Sequence, residues 1–197
     1  MIEIKIKKAI PAGLGMGRSA ASAAATAVAF DKLFGLKLDG NSLVEFAGSG
    51  EKASAGTVHY DNVAASVLGG FVIVRTNPLD VIRIDPPTNL RMCVAVPSID
   101  VPKKKTKVSR GVIPKNIKLT DSILNLSNAT AIVAGFMKKD PELIGNSIKD
   151  VIVEPARQHM IPGFAKVKEN AIKAGALGVT ISGAGPSVIA FSKSSAN

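Results

Sequence analysis

Apolar and polar residues recur along the chain with the periods of strands and helices. Ile2, Ile4 and Ile6 alternate with charged residues, which predicts a half-buried strand that requires a partner strand. After a glycine-rich stretch, alanines and larger apolar residues over 20–34 predict a helix with a serine at its start and Gly35 at its end. The chain is therefore expected to open with a strand, a glycine-rich turn and a helix.

The rest of the pattern alternates short strands with helices. A short helix is expected after Asp61, and Thr120 and the pair Asp140-Pro141 are predicted to begin helices later in the chain. The other expected elements are a helix from 41 or 42 to 53, a helix from 162 to 175, and strands at 71–75, 81–84, 90–96, 179–182 and 188–192. The helices that begin at 120 and 141 should end near 136 and 151. This order indicates an α+β fold in two parts, and the composition shift at 97–114 predicts the crossing between them.

Composition narrows the class of protein without selecting a function. The 197 residues are 46% hydrophobic and 20% charged, which supports a packed core and excludes wholesale disorder. A net charge of +10 fits a partner that is a nucleic acid, a membrane surface or an anionic substrate. The single Cys93 excludes an intramolecular disulfide, and no apolar run is long enough to span a bilayer. We therefore expect a cytoplasmic protein.

The sharpest local feature is the glycine-rich turn between the expected first strand and first helix. Gly13, Gly15 and Gly17 allow close approach of the backbone to a ligand, and the helix that follows contributes a partial positive charge at its N-terminus. An anion, most plausibly a phosphate, is the physical expectation. The spacing matches neither a P-loop nor the dinucleotide fingerprint. The alternative is a plain strand-to-helix turn that needs positive φ angles.

A second group combines Glu51, His59, Asp61 and Asn62. One carboxylate and an amide suit Mg²⁺ that is bound together with substrate phosphates, because Mg²⁺ takes few protein ligands. For His59 the alternative is a hydrogen-bonded structural histidine. Zinc is disfavoured, because Cys93 has no ligand partner at a paired spacing.

Two further features are weak when each is taken alone. The lysines at 103–105 are expected to form a solvated basic loop or to neutralise phosphates, and no interleaved aromatic residues support stacking on single-stranded nucleic acid. The stretch 183–187, with the sequence GAGPS, is a tight turn between two strands, which a simple hairpin would explain.

Taken together, the motifs resemble the GHMP small-molecule kinases. The stretch 11–22, PAGLGMGRSAAS, is similar to the phosphate-binding motif of that family, and 178–187, GVTISGAGPS, is similar to its third motif. The stretches 50–71 and 154–164 resemble the archaeal-type homoserine kinase branch. The resemblance implies an α+β two-domain GHMP kinase architecture, with a left-handed βαβ N-terminal domain at 1–86 and a ferredoxin-like C-terminal domain at 87–197. Both domains are expected to be truncated.

The same resemblance implies transfer of the ATP γ-phosphoryl group to the hydroxyl of homoserine, a step of threonine biosynthesis, with ATP and Mg²⁺ as cofactors. The implied ATP-binding residues are Pro11, Gly13, Gly15, Gly17, Ser19, Ala20 and Ser22, with Ser19 and Glu51 serving Mg²⁺. The implied homoserine-binding residues are His59, Asn62, Arg110, Arg157, Gly183 and Gly185. The implied catalytic residues are Asn62, Thr106 and Arg110. Asn62 matches a position at which related kinases carry an aspartate base, so the substrate hydroxyl would lose its proton without a carboxylate.

The sequence departs from the family pattern in two respects. Arg18 stands where the family has a small residue, and its guanidinium could reach a phosphate or fill the anion site. The family's first motif is absent, and the chain stops soon after its third motif. We therefore expect uncovered apolar faces and a homodimer, and the activity of the chain is in doubt.

Two other functions remain open on the sequence. One is another GHMP kinase that acts on a mevalonate- or shikimate-type substrate. The other is a non-catalytic chain with the kinase fold, for which the +10 charge leaves nucleic acid as a partner.

Overall fold

The computed structural model describes residues 2–99 and 105–194. The chain divides into two compact units, which are Met1–Ala12 with Gly17–Asp85 and Gly13–Met16 with Pro86–Asn197. The α+β fold in two parts is confirmed. The expected crossing at 97–114 is wrong, because the division at Asp85 precedes a strand at 90–95 that pairs within the second unit.

The first unit packs three helices and a two-stranded sheet. Its elements are α1 (Arg18–Phe34), α2 (Gly40–Ala55), α3 (Tyr60–Leu68), β1 (Phe71–Thr76) and β2 (Leu79–Ile84). The two strands pair antiparallel, from Phe71 opposite Ile84 to Thr76 opposite Leu79. Small and β-branched side chains make up the buried core, which consists of Ala20, Val44, Ala47, Val63 and Ala64. All three helices and both strands were expected from the sequence.

The ends of the first two helices follow local chemistry. Gly35 closes α1 with a positive φ of 62°, as predicted. No serine caps the start of α1, because Gly17 occupies the N-cap and Ser19 lies inside the first turn. The carboxylate of Asp39 caps α2 by accepting the amide of Ser42 over 2.7 Å.

Residues 2–9 do not form the strand that their alternation predicts. Ile2, Ile4 and Ile6 are each about half exposed. A strand is defined by backbone pairing, and no described strand lies alongside this segment. The alternation of apolar and charged residues was therefore insufficient to predict a strand here. Among the described residues, the segment expected to be the first strand of the βαβ unit pairs with no strand.

The second unit combines a three-stranded antiparallel sheet with helices. Its elements are β3 (Leu90–Ala95), α4 (Lys105–Gly111), α5 (Leu119–Lys138), α6 (Pro141–Asn146), α7 (Val153–Arg157), a 3₁₀ turn (Gln158–Met160), α8 (Phe164–Lys173), β4 (Gly178–Ile181) and β5 (Val188–Lys193). The strand order is β3-β5-β4. Ile161, Phe164, Val179 and Val188 form its buried apolar cluster. The turn at 182–187 connects the two strands of a hairpin, as the simpler interpretation held.

Several helix boundaries in this unit differ from the predictions. Lys118, and not Thr120, occupies the N-cap of α5. Asp140 caps α6 as expected by accepting the amide of Leu143 over 3.0 Å, but α6 ends at Asn146 and not near 151. The helices α4 and α7 were not predicted.

The contact of α6 with β4 depends on two glycines. A Cβ atom at Gly178 would lie 2.4 Å from the carbonyl oxygen of Gly145, so the two backbones touch. Within the described residues, no helix is both long and apolar enough to cross a membrane.

Candidate active site

The glycine-rich segment alternates the sign of φ from residue to residue. Gly13, Gly15 and Gly17 have φ values of 75°, 76° and 65°, whereas Leu14 and Met16 lie outside the left-handed region. Where successive residues alternate between the right-handed and left-handed helical regions, their N–H groups converge on one side, an arrangement that binds anions. Glycine is required at the three positive positions, because other L-residues are strained there.

The amides of this segment are available to a ligand. In the part of the chain that the structure describes, the amides from Leu14 to Ala20 donate no hydrogen bond, and the first helical bond runs from Ala21 to the carbonyl of Gly17 over 2.9 Å. Unpaired amides at a helix N-terminus attract anions through their partial positive charge. Arg18 begins α1, and its Nε is buried without a partner among the described residues. The positive φ angles serve either interpretation of the segment, and the unpaired amides are what an anion would require.

Glu51 of α2 is fully buried and receives several hydrogen bonds. Its Oε1 accepts the hydroxyl of Ser19 over 3.0 Å, and its Oε2 accepts the backbone amide of His59 over 2.8 Å. The Nδ1 of His59 lies 3.2 Å from Oε1. The carboxylate therefore links the first turn of α1 to the N-cap of α3. The sequence placed Glu51 and His59 in one group, and the structure brings them into direct contact.

The other members of this group are arranged differently. The side chain of Asn62, on the first turn of α3, lies beside Gly17, since a Cβ built at Gly17 would be 3.6 Å from the Asn62 Oδ1. Asp61 is exposed at the start of α3. His59 keeps its Nε2 buried without a partner among the described residues.

The oxygens of Ser19 and Glu51 fit a magnesium ion. Adjacent oxygen ligands of octahedral Mg²⁺ lie about 2.9 Å apart, because each is about 2.0–2.1 Å from the ion. The Ser19 Oγ and Glu51 Oε1 are 3.0 Å apart. Within the described residues, no group of three or more His, Cys, Asp and Glu could hold a metal by itself. An octahedral ion held by these two oxygens would take its remaining ligands from phosphates and water.

Within the second unit, residues Gly13–Met16 of the glycine-rich segment pack against the turn after β4. The hydroxyl of Ser182 donates to the carbonyl of Gly15 over 2.9 Å. A Cβ at Gly15 would lie 2.2 Å from the carbonyl oxygen of Ser182 and 2.7 Å from that of Gly185. The two backbones are therefore in contact, and no side chain larger than hydrogen fits at Gly15.

Arg157 at the end of α7 binds backbone carbonyls. Its Nε donates to the carbonyl of Ser109 and its Nη1 to the carbonyl of Gly183, each over 3.1 Å. Burial lowers the pKa of Arg157 below its usual value, and the like charge of Arg110 lowers it further against the opposing effect of Asp150. Arg157, which was predicted to bind homoserine, thus holds the turn at Gly183 and the helix α4 at Ser109.

Two neighbours complete this arrangement. Ser109 is buried, and its hydroxyl donates to the carbonyl of Ala184 over 3.2 Å. Asp150 accepts the amides of residues 152–154 at the start of α7 and the side-chain amide of Asn125 over 2.8 Å. Burial would raise the pKa of Asp150, but these hydrogen bonds outweigh it and hold the pKa below its usual range.

Other residues predicted to bind substrate or phosphate are Arg110, Thr106 and the lysines at 103–105. Arg110 is exposed on α4. The side chain of Thr106 and the whole of Lys103 and Lys104 lie outside what the structure describes. Ser109, Asp150 and Ser182 were missed by the sequence analysis. Only Asp150 carried a usable signal, because an acidic residue often precedes the start of a helix.

The class of protein follows from two family models that match the chain. The model of the GHMP kinases N terminal domain matches residues 1–70, and that of the GHMP kinases C terminal domain matches residues 132–197. The chain belongs to the GHMP kinase family.

Within that family, the chain is similar to homoserine kinases. It is 45% identical over 194 residues to the homoserine kinase of Chlorobaculum tepidum, a match that covers 98% of this chain and 59% of that protein. It is 43% identical to the homoserine kinase of Pyrobaculum neutrophilum, with 96% of this chain and 64% of that protein covered. The crystal structure of homoserine kinase from Cytophaga hutchinsonii superposes with a TM-score of 0.89 at 45% identity, covering 95% of this chain and 59% of that one.

More distant structures share only the fold. The L. major mevalonate kinase superposes with a TM-score of 0.66 at 21% identity and 91% coverage of this chain. The chain spans 59% of the length of the first curated relative and 64% of the Pyrobaculum one.

Proposed function

We propose that the chain binds ATP and takes part in phosphorylation of L-homoserine to O-phospho-L-homoserine. The observation that carries this proposal is the run of unpaired amides from Leu14 to Ala20, which ends in the N-terminus of a long helix. A polyanion such as the ATP triphosphate matches that run, since each backbone N–H can donate a hydrogen bond to a phosphate oxygen. The similarity to homoserine kinases supports the choice of acceptor.

The phosphates would be bound by the glycine-rich segment and the first turn of α1. Pro11, Ala20 and Ser22 are proposed to complete that site by shaping its backbone. Ser19 and Glu51 would hold Mg²⁺, and Ser19 can keep its hydrogen bond to Glu51 while a lone pair faces the ion. When bound, Mg²⁺ would neutralise charge on the phosphate oxygens.

The substrate carboxylate would be bound by guanidinium groups. The like charge of Arg110 lowers the pKa of Arg157, after the larger effect of burial. An anion between like charges relieves their repulsion, and a guanidinium binds a carboxylate in a bidentate manner. Arg110 is exposed and carries the larger share of this role, because Arg157 already donates to two carbonyls.

Transfer requires alignment more than proton abstraction. The bond between the γ-phosphorus and its bridging oxygen breaks, a bond to the homoserine hydroxyl oxygen forms, and the hydroxyl proton leaves to phosphate or water. Asn62 and Thr106 are proposed to orient that hydroxyl, and His59 to accept a hydrogen bond from the substrate through Nε2. Gly183 and Gly185 are proposed to line the substrate site. Positioning of this kind supplies much of the rate enhancement in phosphoryl transfer.

A substrate panel tests the proposal on the chain itself. Each candidate acceptor, L-homoserine, mevalonate or shikimate, is incubated with ATP and Mg²⁺, and ADP release is coupled to an optical signal while the product is identified by mass spectrometry. We expect phosphorylation of homoserine alone, abolished in Ser19→Ala and retained in Ser49→Ala, whose exposed hydroxyl donates only to the carbonyl of Glu45. No binding of ATP at millimolar concentration in calorimetry would refute the proposal for this chain.

We also propose that the chain forms a homodimer. One face of α5 exposes Leu119, Ile123 and Leu126 on successive turns, and Met137 on the same face three turns later. Light scattering should give a mass near twice 20.3 kDa. A monomer at all concentrations would contradict this.

The proposal also includes the limits of the two domains and a cytoplasmic location. The domain limits 1–86 and 87–197 predict that limited proteolysis cuts near residue 86. A cytoplasmic location is consistent with the single free, exposed Cys93.

A further inference from the structure

The glycine-rich segment is held by a side chain to which the family resemblance assigns no role. Ser182 follows β4 directly, and its hydroxyl donates to the carbonyl of Gly15 over 2.9 Å. Both residues belong to the second unit. The bond thus connects the middle of the segment with the turn that begins the β4–β5 hairpin.

This hydrogen bond sets the direction of a neighbouring amide. The carbonyl of Gly15 and the N–H of Met16 belong to one planar peptide group, in which they point in opposite directions. A carbonyl that is directed at Ser182 therefore turns the Met16 N–H away from the turn. In the described part of the chain that N–H donates to no other group.

The support behind Ser182 is itself rigidly attached. Ser109 donates to the carbonyl of Ala184, and Arg157 donates to the carbonyl of Gly183. A Cβ at Gly183 would lie 3.1 Å from the carbonyl oxygen of Gly15, so the turn also packs directly on the group that Ser182 binds. These contacts pack the turn that carries Ser182 against the glycine-rich segment.

We infer that Ser182 is a positioning residue, which orients the Gly15–Met16 peptide so that the Met16 N–H faces a phosphate of the bound nucleotide. This inference rests on the proposed function, because it explains why the glycine-rich segment would bind the phosphates of ATP. Without the hydroxyl, the Gly15 carbonyl loses its partner. The peptide can then rotate, because glycine offers little resistance to a change of φ and ψ.

Three substitutions at one position test the inference. Ser182→Ala removes the donor, Ser182→Cys keeps the size with a weak donor, and Ser182→Thr keeps the hydroxyl. Ser49→Ala is the control, because it removes an exposed hydroxyl that also donates to a carbonyl. The measurements are the Kd of ATP with Mg²⁺ by calorimetry, the ¹⁵N order parameter of Met16 by NMR, and urea unfolding.

We expect Kd to rise about 5- to 10-fold in Ser182→Ala, the factor that one hydrogen bond of ordinary strength confers. The order parameter of Met16 should fall from the rigid range of about 0.85. Ser182→Cys should behave in the same way to a smaller extent, which keeps the test valid if the alanine variant fails to fold. Ser182→Thr should restore Kd within about two-fold.

Unchanged Kd in both donor-poor variants would overturn the inference, and so would a loss of affinity that threonine does not restore. A fall in unfolding stability without a change in Kd would show a purely structural role and would also overturn it. If the unsubstituted chain binds no ATP, the proposed function fails. The order parameter of Met16 then decides separately whether Ser182 orients the peptide.

Discussion

Replacement of Glu51 separates its structural contacts from its proposed ligand role. In Glu51→Ala, the backbone amide and ring of His59 both lose a buried acceptor, whereas the Ser19 hydroxyl can rotate. Each buried donor left unpaired costs about 1–3 kcal/mol, so the expected loss of unfolding free energy is about 2–6 kcal/mol. That is a large part of the stability of an ordinary domain.

Glu51→Gln should cost far less. The amide oxygen can still accept the backbone N–H of His59, and the amide NH₂ can donate to Ser19 and to the ring of His59 once the ring proton moves to Nε2. The expected loss is about 1 kcal/mol. The glutamine variant should therefore fold, yet it should bind nucleotide without its Mg²⁺ dependence, because the carboxylate ligand is gone.

Urea unfolding followed by circular dichroism at 222 nm measures the difference, and the chain contains no tryptophan to report it by fluorescence. Glu45→Ala on the exposed face of α2 is the control, and it should change the free energy of unfolding by less than about 0.5 kcal/mol. Equal losses in the alanine and glutamine variants would refute the argument from unpaired donors. A loss below about 1 kcal/mol in Glu51→Ala would refute the network itself.

Two more predictions concern the second unit. Gly178→Ala should lower the free energy of unfolding in urea by about 1–3 kcal/mol, because its Cβ would meet the Gly145 carbonyl at 2.4 Å. Gly111→Ala is the control and should be neutral or stabilising, since nothing lies within 4 Å of that Cβ. Equal effects of the two substitutions would contradict the steric argument. The folded-state pKa of Asp150 lies below its unfolded value, so the stability that the ionised group contributes is present above about pH 4 and is lost as the pH falls through the folded pKa. Asp150→Asn should therefore show a smaller loss of stability than the unsubstituted chain between pH 5 and about pH 2 in urea unfolding, and parallel profiles would contradict this.

The success of the sequence analysis depended on how local each signal was. The helix α1 and the hairpin β4–β5 were predicted because their apolar periods lie within the elements and glycines mark the helix ends and the turn. The strand at 2–7 was not found, since its pairing depends on a partner that alternation does not specify. The short helices α4 and α7 were missed because neither has a clear apolar period over its few residues.

Residue types at fixed spacing were enough to indicate the family, the two-part α+β fold and the glycine-rich segment between the expected first strand and α1. The groups that the polar side chains contact could be read from the tertiary structure alone. It placed Ser19 and His59 on one buried carboxylate, turned Arg157 towards backbone carbonyls and brought Ser182 to Gly15 across 167 residues. Contacts between residues so distant in sequence arise from chain folding and leave no periodic signal. The sequence could therefore point to candidate site residues, and the structure showed which of them already hold other groups of the chain.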